Sequence, residues 1–335
     1  MLRALALARR GMGSVSPNPM VGAVLVKEGG IIGESWHKKC GEGHAEVNAI
    51  ADARLRGNDP AGSTIYVTLE PCSSYGRTPP CTEGILKAGI SRVVVGCADP
   101  NPKHAGRGIA ILREKGVEVT AFVLEGKCRL LNESFFYWIT TGKPFVLLKL
   151  AQTLDGKIAT KGGSSQWITS GIARKHVMRL RLWADGVMAG GETFRKDAPQ
   201  FTVRNGKGEV LKTPRRFIVT RNPGSFQVPE GENWEFIDLS SPNAWEEFLL
   251  RLGRENVTGL LLEGGGELAA SALQAGAVNK VEFHIAPKIL GGRASRPSVG
   301  GEDPERIDEG VLLENMQMRA LGKDFLLSGY PVRKK

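Results

Sequence analysis

No apolar run in this sequence approaches the roughly 20 residues that a membrane-spanning helix needs. Cysteine is scarce and odd in number, five in 335 residues. Such a count, with nothing pairing Cys40, Cys97 and Cys128, argues against a disulfide framework and for a reducing cytoplasm. Also missing are a basic tail, a Lys/Arg block and a stripe of aromatics among basic residues, the usual marks of a nucleic-acid surface. The formal net charge of +10 is spread evenly: residues 1–143 hold 18 basic and 13 acidic side chains and residues 144–335 hold 27 and 22, a surplus of five in each. A diffuse surplus suits phosphorylated small molecules as well as RNA, so charge alone leaves that choice open. The opening apolar stretch is broken by Arg3, so Met1 to Arg10 reads as an amphipathic helix ending at Gly11. A signal peptide needs a longer uncharged core.

What is present is a cluster of soft and borderline metal ligands between Gly43 and Cys81. It opens with His44-Ala45-Glu46 and closes with Pro71-Cys72 and Cys81. One histidine and two cysteines make three ligands, the number for a catalytic zinc, since a structural site takes four and leaves no open position. A His-x-Glu followed by Pro-Cys and a second Cys is the pattern of zinc-dependent nucleobase deaminases, in which the glutamate moves protons and is not a ligand. Eight residues separate the cysteines here, where two is commoner. Each residue alone would more often be packed than metal-bound; their order and the offset of Glu46 favour the metal.

The chain is long enough for two domains. In its first part strands and helices alternate: strands at Val21 to Lys27 and Ile31 to His37 around Glu28-Gly29-Gly30, a helix from Ala45 to Arg56, and strands from Thr64, Arg92 and Val117 separated by short helices. That order predicts an α/β sheet covered on both faces. A helix N-terminus at both His44 and Cys72 would turn its positive dipole end toward the metal. An aromatic helix from Leu130 ends at Thr140-Thr141-Gly142-Lys143-Pro144, and the domain boundary falls there, giving domains 1–143 and 144–335.

The second part opens on Phe145 to Ala151, a near-continuous apolar strand of the kind buried on both faces. A helix follows Thr169-Ser170, both N-cap residues. Gly264-Gly265-Gly266 between a strand and a helix can bring backbone N–H groups to a phosphate. A Rossmann unit is disfavoured, because the triplet lies late in the chain and Glu282, the acidic residue at the expected distance, sits inside a strand with His284.

Ser16-Pro-Asn-Pro-Met-Val-Gly-Ala-Val24, Gly43-His-Ala-Glu46, Tyr66-Val-Thr-Leu-Glu-Pro-Cys72, Gly76-Arg-Thr-Pro-Pro-Cys81 and Asp99-Pro-Asn-Pro102 resemble the deaminase half of the bifunctional riboflavin-biosynthesis deaminase/reductases. The long gap between the cysteines is that family's form. Lys149-Leu-Ala-Gln-Thr-Leu-Asp-Gly156, Ser165-Gln-Trp-Ile-Thr-Ser170, Asp197-Ala-Pro-Gln-Phe-Thr-Val-Arg204 and Ala286-Pro-Lys-Ile-Leu-Gly-Gly292 resemble its reductase half. The resemblance is dense in the first half and thinner between Gly206 and Asn256.

The resemblance implies a cytidine-deaminase-like three-layer α/β domain followed by a dihydrofolate-reductase-like α/β domain. It implies one Zn2+ on His44, Cys72 and Cys81, with Glu46 catalytic. It implies substrate contacts from Asn18, His37 and Arg77, although Asn18 between prolines is also what a turn would use. Ser74 stands where the family usually has histidine. His104 and its glycine-rich neighbours are a weak phosphate signal and stay outside the site. In the second domain NADPH would lie on Ala151, Trp167, Thr193, Asp197 and Gly265, Gly266, Glu267, Leu268, Ala269, Ala270 and Ser271. The ribosyl phosphate would lie on Ser165, Arg181, Phe201, Arg204 and Glu263, with Arg181 and Arg204 suited to bidentate phosphate binding. Arg221 is a candidate for the cofactor's 2′-phosphate. Lys149 either polarises the sugar or pairs with Asp155 or Asp197.

The implied activity is hydrolytic deamination of 2,5-diamino-6-(5-phosphoribosylamino)pyrimidin-4-one and then NADPH-dependent reduction of its ribosyl chain, giving 5-amino-6-(5-phosphoribitylamino)uracil. A homo-oligomer in the cytoplasm, without nucleic-acid or membrane partners, goes with it. A nucleoside or RNA deaminase with a binding-only second domain would instead show salt-steep RNA affinity and none for NADPH. A non-enzymatic zinc module would be indifferent to Glu46→Gln.

Overall fold

In the computed structural model, which describes residues 1–332 apart from 76–78, 103, 227 and 229–231 and omits the side chain of Asp197, the chain divides into two compact units, Met1–Lys143 and Pro144–Lys335. Among the described residues no helix is long and apolar enough to cross a membrane.

The first unit runs α1 (Leu2–Ala8), β1 (Gly22–Lys27), β2 (Gly30–Trp36), α2 (Ala45–Leu55), β3 (Thr64–Val67), α3 (Cys81–Lys87), β4 (Arg92–Val95), α4 (Arg107–Glu114), β5 (Glu118–Thr120), α5 (Glu125–Leu131) and α6 (Glu133–Thr141). Its five-stranded sheet has the order β2-β1-β3-β4-β5. β1 is antiparallel to β2 and β3, whereas β3, β4 and β5 are parallel. Strand alternation sorts the core. Ala23, Leu25, Ile65, Val67, Val93 and Val95 pack on Ala45, Ala49, Ile50 and Ala53 of α2, with Ile85 of α3 and Leu112 of α4. On the opposite face Val24 meets Ala4 and Leu7 of α1, and Leu69 and Cys97 meet Leu5 and Cys128. Helices therefore cover both faces of the sheet.

The second unit runs β6 (Phe145–Thr153), β7 (Lys157–Ala159), α7 (Gly171–Trp183), β8 (Gly186–Gly190), α8 (Gly191–Asp197), β9 (Val203–Arg204), β10 (Val210–Lys212), β11 (Arg215–Val219), β12 (Glu235–Ile237), α9 (Ala244–Arg254), β13 (Gly259–Glu263), α10 (Gly266–Gln274), β14 (Lys280–Ala286), β15 (Arg296–Pro297), β16 (Leu313–Leu321) and β17 (Asp324–Pro331). Its eight-stranded sheet has the order β12-β11-β8-β13-β6-β14-β17-β16. The first six strands are mutually parallel, and β17 and β16 close that edge antiparallel. β6 is apolar over most of its length, Lys149, Gln152 and Thr153 excepted, because both faces are covered: Val146, Leu148 and Leu150 face α9 and α10, and Leu147 shares a cluster with Leu180 of α7. Ser170 caps α7, its hydroxyl accepting from Ala173 N.

Three elements depart from expectation. The aromatic helix is interrupted at Asn132, whose side-chain amide accepts from Met20 N (2.8 Å) and donates to Met20 O (2.9 Å). The residues after β8 form α8, a helix not read from the sequence. The β16–β17 hairpin had no sequence reading, because β16 is exposed along most of its length and carries no burial period.

Candidate active sites

His44 is the N-cap of α2 and Cys81 the first residue of α3. Cys72 lies in the segment after β3 and precedes no helix. The expected pair of helix starts is therefore His44 and Cys81, and Cys72 instead accepts the backbone N–H of Cys81 at 3.2 Å. His44 Nδ1 lies 3.5 Å from Cys72 Sγ and 3.3 Å from Cys81 Sγ, and all three donor atoms fall within 4.8 Å of one another. Zn–N and Zn–S bonds of about 2.1 and 2.3 Å at the tetrahedral angle put N and S about 3.6 Å apart. The observed separations match, so the donor set fits zinc in chemistry and spacing.

The thiols share one negative charge. Cys72 is held down to about 4, first by the hydrogen bond from Cys81 and then by His44. Cys81, as the donor and in a buried position, is pushed well up. Glu46, in the first turn of α2, is 3% exposed. Burial first, and then the Cys72 thiolate, push its carboxyl up to about 7. A carboxyl that exchanges protons near neutrality beside the metal ligands is what general acid–base work requires.

The approach to His44 is built by hydrogen bonds. Gly43 O accepts from Asn48 Nδ2 at 2.8 Å and faces His37 Nδ1 at 3.1 Å. A Cβ on Gly43 would stand 2.6 Å from Asn48 Oδ1, so a larger residue here would displace the Asn48 side chain. A carbonyl only accepts, so His37 Nδ1 carries the proton, and its Nε2 then accepts from Asn18 Nδ2 at 3.1 Å. Burial lowers the His37 pKa and keeps the ring neutral. Asn18 and His37 are thus joined, and the His37 ring meets His44 edge-on at 5.2 Å. Arg77 lies outside the described residues.

Two residues left out of the sequence-based site belong to its architecture. Buried Glu70 accepts four backbone N–H groups, from Asp99 (3.1 Å), Gly106 (3.0 Å), Gly108 (2.8 Å) and Ile109 (3.3 Å). It thereby ties the loop after β4 and the start of α4 to the Cys72 segment. That loop carries His104, whose ring nitrogens lie 3.5 Å from Ser74 Oγ. A buried acid within Leu69-Glu70-Pro71 with no basic neighbour in sequence was the available signal.

In the second unit a cavity of about 1080 Å³ opens beside β6, β8, β11 and β13. Ala151, Trp167, Thr193, Gly265, Gly266, Glu267, Leu268 and Ser271 line it, as do Ser165, Arg181, Phe201, Glu263, Lys149 and Arg221. Ala269 and Ala270 do not line it: they are buried, and Ala269 packs in the sheet core, because α10 turns that face inward. Gly265 has φ +85°, and a Cβ on Gly266 would stand 2.8 Å from Pro297 O. Gly264, Gly265 and Gly266 line the cavity, so the start of α10 borders it, and the chemistry of a helix N-terminus fits a nucleotide phosphate.

Both arginines expected at the substrate have partners within the chain. Arg181 grips Glu263 through Nε to Oε1 (2.5 Å) and Nη2 to Oε2 (2.9 Å). Arg204 is exposed, outside the cavity lining, and donates to Gln200 Oε1 (2.6 Å) and Gly208 O (2.9 Å). Asp155 is not the partner of Lys149: it accepts from Thr153 Oγ1 (2.6 Å), Leu290 N (3.0 Å) and Gly291 N (2.7 Å). Lys149 instead lies in register between Glu263 of β13 and Glu282 of β14, and burial lowers its pKa. The side chain of Asp197 lies outside the described residues.

Residues 144–327 match the family model described as the RibD C-terminal domain. Residues 1–97 match the cytidine and deoxycytidylate deaminase zinc-binding region. Riboflavin biosynthesis protein RibD of Actinobacillus pleuropneumoniae is 40% identical over 98% of this chain and 93% of its own length. The protein of that name from Escherichia coli is 38% identical over 88% of each. Among solved structures, a diaminohydroxyphosphoribosylaminopyrimidine deaminase/5-amino-6-(5-phosphoribosylamino)uracil reductase from Thermotoga maritima superposes with a TM-score of 0.85 at 35% identity, covering 99% of this chain and 97% of that one.

Proposed function

The chain belongs to the RibD family of bifunctional riboflavin-biosynthesis deaminase/reductases, and from that premise we propose the substrates, the cofactor of the second reaction and the residues of both sites. It is a hydrolase and an oxidoreductase in one polypeptide, with a zinc-binding deaminase unit and a reductase unit. The first reaction deaminates 2,5-diamino-6-(5-phosphoribosylamino)pyrimidin-4-one. The second reduces the ribosyl chain to ribityl with NADPH.

In the first unit His44, Cys72 and Cys81 hold the zinc, which when bound supplies Lewis-acid activation of water at neutral pH. Glu46 accepts one proton from the attacking water and passes it to the ring nitrogen, then carries the remaining hydroxyl proton to the amine, which departs as ammonia. Its buried carboxyl can hold or release that proton at neutral pH. The neutral His37–Asn18 pair offers polar groups beside His44 to orient the pyrimidine, and Arg77 is assigned to its phosphate.

In the second unit NADPH supplies the hydride. Gly265, Gly266 and the start of α10 take a phosphate, with Ala151, Trp167, Thr193, Asp197 and Ser271 alongside. Arg221 reads the 2′-phosphate. The Arg181–Glu263 pair, Ser165 and Phe201 hold the ribosyl end, with Lys149 beneath it. A homo-oligomer in the cytoplasm, with a phosphorylated pyrimidine as its small-molecule partner, completes the reading.

The convergence of His44, Cys72 and Cys81 beside the buried Glu46 carries the deaminase assignment. The test is a two-readout assay on zinc-loaded protein with the pyrimidine substrate. Ammonia release is followed first, and NADPH is then added and its absorbance followed. Ammonia and then NADPH oxidation support both halves. Ammonia without NADPH loss removes the reductase assignment, and no ammonia removes the substrate.

A further inference from the structure

The sequence holds five histidines, and two of them, His176 and His284, serve neither proposed site. Glu282 and His284 stand two apart on β14 and so share a face of the sheet. His176 comes from α7. His176 Nε2 lies 2.9 Å from Glu282 Oε2, and His284 Nε2 lies 3.6 Å from the same oxygen. One donor atom from each residue falls within 4.8 Å of the others.

A structural explanation accounts for only part of this cluster. His176 alone satisfies Glu282 as a hydrogen-bond partner. His284 is 0% exposed, and among the described residues neither of its ring nitrogens has a partner within hydrogen-bond distance. Burying such a group unpaired costs about 1–3 kcal/mol. Its cross-strand neighbours are Ala151 and Leu326, so an aliphatic side chain would pack there without that cost. Two imidazoles and a carboxylate are a zinc donor set with a position left open. Metal–N and metal–O bonds of about 2.1 Å at the tetrahedral angle put the donors about 3.4 Å apart, which the two observed separations bracket.

We propose that His176, Glu282 and His284 form a second metal site, in the C-terminal unit, for a divalent transition ion that prefers imidazole. Such ligands must be unprotonated to bind. Three cations stand nearby. Arg319 Nη2 lies 3.3 Å from His176 Nε2, but it is an exposed side chain on the edge strand and can swing into solvent. Arg181 is neutralised by Glu263. Lys149 lies across the strand from Glu282 and has Glu263 in register on its other side as a counter-charge. Because Lys149 and Ala151 also line the cavity, an ion here would slow the reduction and leave the deamination alone.

The test uses full-length protein carrying Cys72→Ser and Cys81→Ser, which removes the thiolate site, equilibrated with Co2+ and checked for folding by circular dichroism. The expected result is one cobalt per chain, with visible ligand-field bands and no thiolate charge-transfer band in the near ultraviolet. Adding His176→Gln or His284→Gln lowers the count to none. No bound cobalt in the folded cysteine variant overturns the proposal, as does cobalt that persists unchanged in both histidine variants. Should the cysteine variant fail to fold, Zn2+ is counted on the unmodified protein: two per chain, falling to one with His176→Gln, is expected, and one in both contradicts it.

Discussion

Arg181 and Glu263 are joined by two parallel hydrogen bonds, with side chains only 16% and 8% exposed. The arginine is thereby committed to a carboxylate, so its contribution to the cavity wall is as a pair. Removing one partner of a largely buried pair leaves the other charge uncompensated. Arg181→Ala should cost the C-terminal unit about 3 kcal/mol and abolish NADPH oxidation, with ammonia release retained. A double-mutant cycle with Glu263→Gln in urea unfolding should give a coupling above about 1 kcal/mol. Strict additivity would mean that the pair is decorative.

Glu70 makes a second, independent case. Glu70→Gln turns an N–H2 group toward two of its four backbone donors, which should destabilise the N-terminal unit by about 2 kcal/mol. Zinc content is expected to stay at one per chain at the thiolate site, because no ligand changes. Chemical denaturation with metal analysis checks this, and an unchanged midpoint would contradict the role given to Glu70.

Gly266→Ala adds a methyl where only 2.8 Å separates the ideal Cβ from Pro297 O. The turn into α10 must shift, so NADPH affinity should fall at least tenfold, about 1.4 kcal/mol, with ammonia release unaffected. Titration of NADPH fluorescence reads this directly. Wild-type affinity in the variant would place the cofactor phosphate elsewhere.

Asp155 provides the pH dependence. Its folded-state pKa is lowered to about 2, first by the Thr153 hydroxyl and then by the N–H groups of Leu290 and Gly291. A depressed carboxyl contributes stability above its unfolded value, about 3.9, and loses that contribution as pH falls toward the folded value. Asp155→Asn should therefore lower the urea midpoint at pH 5 more than at pH 3. An equal loss at both would show that the carboxylate charge plays no part.

The grouping of His44, Cys72 and Cys81 near Glu46 was legible in the sequence because the chemistry confines such residues to short motifs of fixed order. The two-sided burial of β6 was equally legible from Phe145 to Ala151, since a continuous apolar run has few other uses. What was hidden depends on long-range contacts or on side-chain direction. Asn132 breaks a helix to bind the backbone of Met20, a residue 112 positions earlier. Glu70 draws its donors from 29 to 39 residues away. The contacts of Arg204 with Gly208 and Gln200 depend on how the loop between them folds, which residue type alone does not give. The row Glu263–Lys149–Glu282 exists only through the register of three parallel strands, and no local pattern announces it.

The most direct test of the account is Glu46→Gln in full-length, zinc-loaded protein, with zinc content, ammonia release and NADPH oxidation measured on one preparation. The reduction is supplied with pre-deaminated substrate. The amide keeps the shape and removes the exchangeable proton. Ammonia release should fall by about 10²–10⁴-fold, with zinc and NADPH oxidation unchanged. Ammonia release within a few-fold of the unmodified protein would contradict the assignment of Glu46 as the proton carrier.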